Sequence, residues 1–86
     1  MPYKPEFSEE ISKELKKLKK KDSELFKRAQ AKFNEIVDNP EHYKPLQHDL
    51  AGKRRAHVGS FVILFKVEGN KVVFLTITHH DEAYRR

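Results

Sequence analysis

The sequence predicts an α+β fold: a small antiparallel sheet in the order β-α-α-β-β-β, an N-terminal helical hairpin packed on one face, and a short C-terminal helical segment. Three observations predict it. Apolar residues recur at helical spacing up to Val37 and at strand spacing after Arg54. Asn39-Pro40 stands at the change of period and stops a helix. Two glycine turns, Gly59-Ser60 and Glu68-Gly69-Asn70, cut the second half into three strands.

Residues 1–7 alternate loosely around Tyr3 and Phe7, and Pro2 and Pro5 confine such a strand to a short piece or a sheet edge. Ser8 is a good N-cap, and Glu9 and Glu10 suit the positive end of a helix dipole. Ile11, Leu15 and Leu18 form the apolar stripe of that helix, while Lys16, Lys17, Lys19, Lys20 and Lys21 fill its solvated side. Asp22 or Ser23 caps a second helix whose stripe reads Phe26, Ala29, Phe33, Ile36 and Val37. Only a few residues separate the helices, so they form an antiparallel hairpin. Residues 54–58, 61–67 and 72–78 then read as strands, the last two strongly apolar, and residues 82–85 as a short terminal helix.

With 86 residues, the chain holds one modest core, and residues 1–86 are read as a single domain. The net charge of +5 and pI near 9.5 favour an anionic partner. The absence of cysteine excludes disulfide and thiolate chemistry. No apolar run reaches the ~20 residues of a membrane span, and the N-terminus lacks a signal-peptide segment, so a cytoplasmic location without membrane contact is expected.

The Gly59-Ser60 turn fixes a register in which Val58 faces Phe61, His57 faces Val62 and Arg55 faces Leu64. Ala56, Val58, Phe61, Ile63, Phe65 and Val67 then share the face toward the helices. Lys53, Arg55, His57, Val62, Leu64 and Lys66 share the other, where a basic stripe runs beside apolar side chains able to receive a base. Past the last strand come His79, His80, Tyr84 and Arg85. Imidazoles transfer protons near neutral pH. Adjacent residues of a strand point to opposite faces, so one of His79 and His80 reaches any given site. No close metal-ligand spacing links His42, His48, His57, His79 and His80, and no cofactor is expected.

The run Gly52-Lys53-Arg54-Arg55-Ala56-His57-Val58-Gly59-Ser60-Phe61-Val62-Ile63-Leu64-Phe65 resembles the central motif of the RelE/ParE toxin superfamily. That motif has a glycine, basic residues alternating along a strand, a glycine turn, an aromatic residue, an arginine and an apolar strand. His79-His80-Asp81-Glu82-Ala83-Tyr84 is similar to the superfamily's C-terminal motif. His42-Tyr43-Lys44-Pro45-Leu46, with Leu50 and Gly52, is similar to the loop that approaches the site in archaeal-type and YoeB-like members. The resemblance covers essentially the whole chain.

It implies the toxin of a type II toxin–antitoxin system: a ribosome-dependent endoribonuclease that cuts mRNA in the ribosomal A site without a metal. Its implied partners are the ribosome, the message and a cognate RelB-like antitoxin, with which it forms a hetero-oligomer. Basic charge and exposed apolar surface suit an acidic amphipathic antitoxin segment. Attack by a 2′-hydroxyl needs a base, cations for the phosphate and an acid for the leaving 5′-oxygen. The resemblance gives Arg55 the phosphate, His57 a phosphate contact or a proton, and His80 the role of acid or electrostatic stabiliser. His79 matches the motif histidine, and Tyr84 the tyrosine that stacks on a base or assists proton transfer. Lys44, Lys53, Arg54 and Arg85 are expected to bind the RNA backbone or the ribosome.

One position departs from the pattern. Val62 stands where the family usually has an arginine on the scissile phosphate, so Val62→Arg is expected to raise cleavage. The departure keeps other readings open: a catalytically weakened member, a ParE-like toxin that inhibits gyrase by protein binding, or a non-catalytic RNA-binding module.

Overall fold

The computed structural model describes residues 3–46 and 52–80. Strand β1 (Lys4–Phe7) leads into helices α1 (Glu9–Lys21) and α2 (Ser23–Asp38), and strands β2 (Arg54–Val58), β3 (Phe61–Glu68) and β4 (Lys71–His79) follow. The strands form one sheet in the order β1-β4-β3-β2. Two of its three pairings are antiparallel, as expected, but β1 lies parallel to β4 and makes the sheet mixed. No hairpin joins these two strands. The chain between them passes through the helical hairpin, and parallel neighbours need such a long crossover. Pro5 is confined to the edge strand, where its missing N–H costs no ladder bond.

The helices begin as their caps dictate. The Ser8 hydroxyl accepts from the Ile11 N–H at 3.1 Å, and the Asp22 carboxylate from the Leu25 N–H at 3.1 Å. Ile11 and Leu18 are buried on α1. On α2 the buried stripe is Leu25, Ala29, Phe33 and Ile36, spaced by four, four and three; Phe26 and Val37, assigned to that stripe from sequence, are its half-buried flanks. Asn39 ends α2, and Pro40 opens a single 3-10 turn to His42.

The core lies between the helices and one face of the sheet. Phe65, Phe74, Ile63 and Val72 are fully buried there with Ile11 and Ile36. Phe74 packs its ring 4.7 Å from Phe33 and 5.0 Å from Phe7. Truncating a buried phenylalanine costs about 3–5 kcal/mol. Among the described residues no helix is long and apolar enough to cross a membrane.

The β2–β3 register matches the sequence reading residue for residue: Val58 faces Phe61, His57 faces Val62 and Arg55 faces Leu64. The outer face differs in one respect. Val62 is fully buried and Val73 nearly so, although neither belongs to the helix-side core. Val62 is therefore not an exposed platform for a base.

One irregularity places the functional residues. Leu64 pairs with Thr76 and Phe65 with Phe74, so Leu75 is an extra residue in β4. Such a bulge reverses the alternation of every later side chain. Val72 and Phe74 face the core before it, and Ile77 after it. Beyond Phe74 the strand β1 has already turned into α1, and side chains complete the edge of β4. The Ser8 hydroxyl donates to the Leu75 carbonyl at 2.7 Å, and the Ile77 N–H donates to Glu14 Oε1 at 2.9 Å.

Candidate functional site

The site is built on the outer face of β2 and the end of β4. Arg55 and His57 are two residues apart on β2 and share that face; Arg55 is half-buried and His57 exposed. His80 continues the ladder past the end of β4, its N–H donating to the Ser60 carbonyl at 2.8 Å. Its ring lies 5.9 Å from that of His57, with 33° between the planes. His79 points the other way and sets its ring edge-on to Phe61, 5.8 Å away on the helix side. The bulge at Leu75 decides between the two histidines: without it, strict alternation from Phe74 would put His79 on the outer face and His80 on the inner one.

A cleft of about 510 Å³ opens beside this stripe, lined by His42, Tyr43, Lys44, Leu46, Arg55 and His57 among others. A strap crosses the start of β2 and forms its wall. Pro45 bridges to Arg54, and the Leu46 N–H donates to the Lys53 carbonyl at 2.8 Å. The Arg54 guanidinium donates to the Tyr43 carbonyl, and the Tyr43 ring stands edge-on to Phe65 at 5.7 Å. Strap residue Lys44 is exposed at this cleft.

The residues expected from sequence thus divide. His57 and His80 come together, and Arg55 and Lys44 line one cleft with His57. His79 does not join them. Arg54 shares the core-side parity of Ala56 and Val58, and its guanidinium holds the strap through the Tyr43 carbonyl. Lys53 is half-buried, and its carbonyl anchors Leu46. Tyr84, Arg85 and the terminal helix at 82–85 lie outside the described residues, as does His48. Sequence reasoning missed Tyr43 as the wall of the cleft. It also missed a second hollow of about 290 Å³ on the other side of His57, lined by Arg28, Lys32, Glu35 and Gly59. Sequence reasoning assigns Arg28 and Lys32 no role. Their spacing of four, on a helix bound to pack over a basic strand, was the available signal.

Two neighbouring imidazoles on a strand face that also carries a guanidinium can bind a phosphodiester and move protons at its two ends. An imidazole acting as acid or base must come within about 2.6–3.2 Å of its oxygen. Two such bonds span a distance comparable to the 5.9 Å between the rings, so one phosphate group can meet both.

The comparisons with known proteins agree with this architecture. Residues 6–84 match the family described as the ParE toxin of type II toxin–antitoxin systems. A Methanocaldococcus jannaschii protein named as candidate toxin RelE4 is 39% identical over 87 aligned residues, covering 98% of this chain and 93% of that one. The toxin in the crystal structure of the toxin–antitoxin complex RelBE2 from Mycobacterium tuberculosis superposes with a TM-score of 0.77 at 26% identity, covering 92% of each chain. YafQ from Escherichia coli superposes with a TM-score of 0.67 at 25% identity, covering 95% of this chain and 98% of that one.

Proposed function

The chain belongs to the RelE/ParE superfamily of type II toxin–antitoxin toxins, and from that premise we propose that it is an endoribonuclease that cuts messenger RNA in the ribosomal decoding site. The observation that carries the proposal is the meeting of His57 and His80, 5.9 Å apart, on the face that also presents Arg55. His57 lies on β2 and His80 just past the end of β4, and only the fold unites them.

In this reading the 2′-hydroxyl oxygen attacks phosphorus and the bond from phosphorus to the 5′-oxygen breaks. The products are a 2′,3′-cyclic phosphate and a 5′-hydroxyl. His57 takes the proton from the attacking hydroxyl and His80 returns one to the leaving oxygen. Arg55 neutralises the charge that gathers on the phosphate. Lys44 and Lys53 guide the backbone, and the strap held by Arg54 shapes the cleft. Tyr84 is proposed to stack on a base or assist proton transfer, and Arg85 to contact the ribosome. His79 is assigned a packing role against Phe61.

The partner of this toxin is a cognate antitoxin. M. tuberculosis RelBE2 is itself a toxin–antitoxin complex. A hollow of about 420 Å³ lined by Phe7, Leu15, Phe26 and Phe33, with Lys16 and Lys19 among its lining residues, suits an acidic amphipathic segment. Co-expression with the neighbouring reading frame and co-purification test this. Failure to recover a complex, together with harmless expression of the chain alone, would count against the pairing.

A second reading is a ParE-like toxin that inhibits gyrase by protein binding. It is favoured by the match to the ParE family and by Val62, fully buried where a catalytic arginine is usual. Primer extension on translated messages, run beside a supercoiling assay with purified gyrase, separates the two. Message cleavage supports the nuclease, and loss of supercoiling without cleavage supports the alternative.

A further inference from the structure

His57 stands between two hollows. It lines the Tyr43–Lys44 cleft on one side and the hollow of Arg28, Lys32, Glu35 and Gly59 on the other. Arg28 and Lys32 are one helical turn apart on α2 and share its face. The Arg28 guanidinium rests against the β2–β3 turn, since a Cβ built at Gly59 would lie 3.7 Å from Nη1 of Arg28. Among the described residues Arg28 has no hydrogen-bond or ion-pair partner. Lys32 pairs with Glu35 at 3.7 Å.

We infer that Arg28 and Lys32 form a second phosphate-binding subsite, which takes the substrate strand on the far side of the scissile bond. The inference rests on the nuclease reading and extends it. A strand whose reacting phosphate lies at His57 continues in both directions. One direction passes Arg55 and Lys44, and the other crosses the Gly59 turn into the hollow under Arg28. The Glu35 carboxylate also lines that hollow and opposes an anion there. The subsite thus has two attractive members and one repulsive member, with opposite predicted effects on removal.

The test is single-turnover cleavage over a range of toxin concentrations, on ribosomes carrying a message in the decoding site, with affinity for vacant ribosomes measured in parallel. Arg28→Gln/Lys32→Gln should raise the half-saturating concentration several-fold on programmed ribosomes and leave affinity for vacant ribosomes unchanged. The slope of log affinity against log salt should shrink by about 1.4, from two lost phosphate contacts at about 0.7 each on a single strand. Glu35→Gln should shift the half-saturating concentration the opposite way. Thermal melting of each variant checks that the fold is retained. An equal loss on vacant ribosomes would assign the two cations to ribosomal RNA and overturn the inference. So would a wild-type half-saturating concentration and salt slope in the double variant. If the wild type itself fails to cleave, the nuclease reading falls and takes the subsite with it; if it cleaves while the double variant is unchanged, only the subsite falls.

Discussion

His57→Ala and His80→Ala, made singly and together, interrogate the pairing of the two rings. Both side chains are exposed. The hydrogen bond from residue 80 to Ser60 uses the backbone N–H and survives the substitution. Stability should therefore move by no more than about 0.5 kcal/mol in each variant. A positioned acid or base contributes about 10²–10⁴-fold, which at about 1.36 kcal/mol per decade is roughly 3–5 kcal/mol of transition-state stabilisation. If the two rings acted independently, the double variant would lose the product of both factors, about 10⁴–10⁸-fold. With rings 5.9 Å apart serving one phosphate, each proton transfer depends on the other, and groups acting as a unit are strongly non-additive. The double variant should therefore cleave within about tenfold of the slower single variant. The assay is single-turnover cleavage of a ribosome-bound message at saturating toxin. A multiplicative loss would refute the shared phosphate, and wild-type rates in both single variants would refute the assignment of these residues to catalysis.

Three further perturbations test the scaffold. Ser8→Ala removes the α1 cap and the donor to the Leu75 carbonyl, and urea unfolding should show a loss of about 1–3 kcal/mol; a change within error would mean the bulged edge does not need this hydroxyl. Val62→Arg, expected from sequence alone to raise cleavage, instead places a guanidinium at a fully buried position. An uncompensated buried charge costs about 3–5 kcal/mol, so its melting temperature should fall sharply, and an unchanged melting curve would show that this face opens freely. Arg54→Gln frees the strap from β2 and should speed hydrogen exchange at the Leu46 amide while leaving the salt dependence of ribosome binding near wild type. A slope reduced as much as in Arg55→Gln would place Arg54 among the RNA contacts.

Much of this fold is legible along the chain. The caps at Ser8 and Asp22, the stop at Asn39-Pro40 and the glycine turn at Gly59-Ser60 act through neighbours in sequence, and each stands where local chemistry puts it. The parallel pairing of β1 with β4 is not local, because the whole helical hairpin intervenes. Leu75 shows why the two terminal histidines could not be told apart. A bulge depends on which residues the partner strand offers, and one extra residue exchanges the faces of His79 and His80. The bond from Arg54 to a carbonyl eleven residues earlier is not local either, and nothing in the basic motif signals it. Arg55 and His57 were legible because period two and a tight turn determine a shared face.

The most direct test of the account is cleavage of two messages that differ by one oxygen. Ribosomes are programmed with a message whose decoding-site codon is all ribonucleotide, or carries a single 2′-deoxynucleotide on the 5′ side of the cleaved bond, and products are mapped by primer extension. The predicted result is a cut within that codon of the first message, ending in a 2′,3′-cyclic phosphate, and no cut at that bond in the second. Cleavage of both at equal rates would contradict attack by the 2′-hydroxyl, and cleavage of neither by a folded wild-type chain would contradict the nuclease itself.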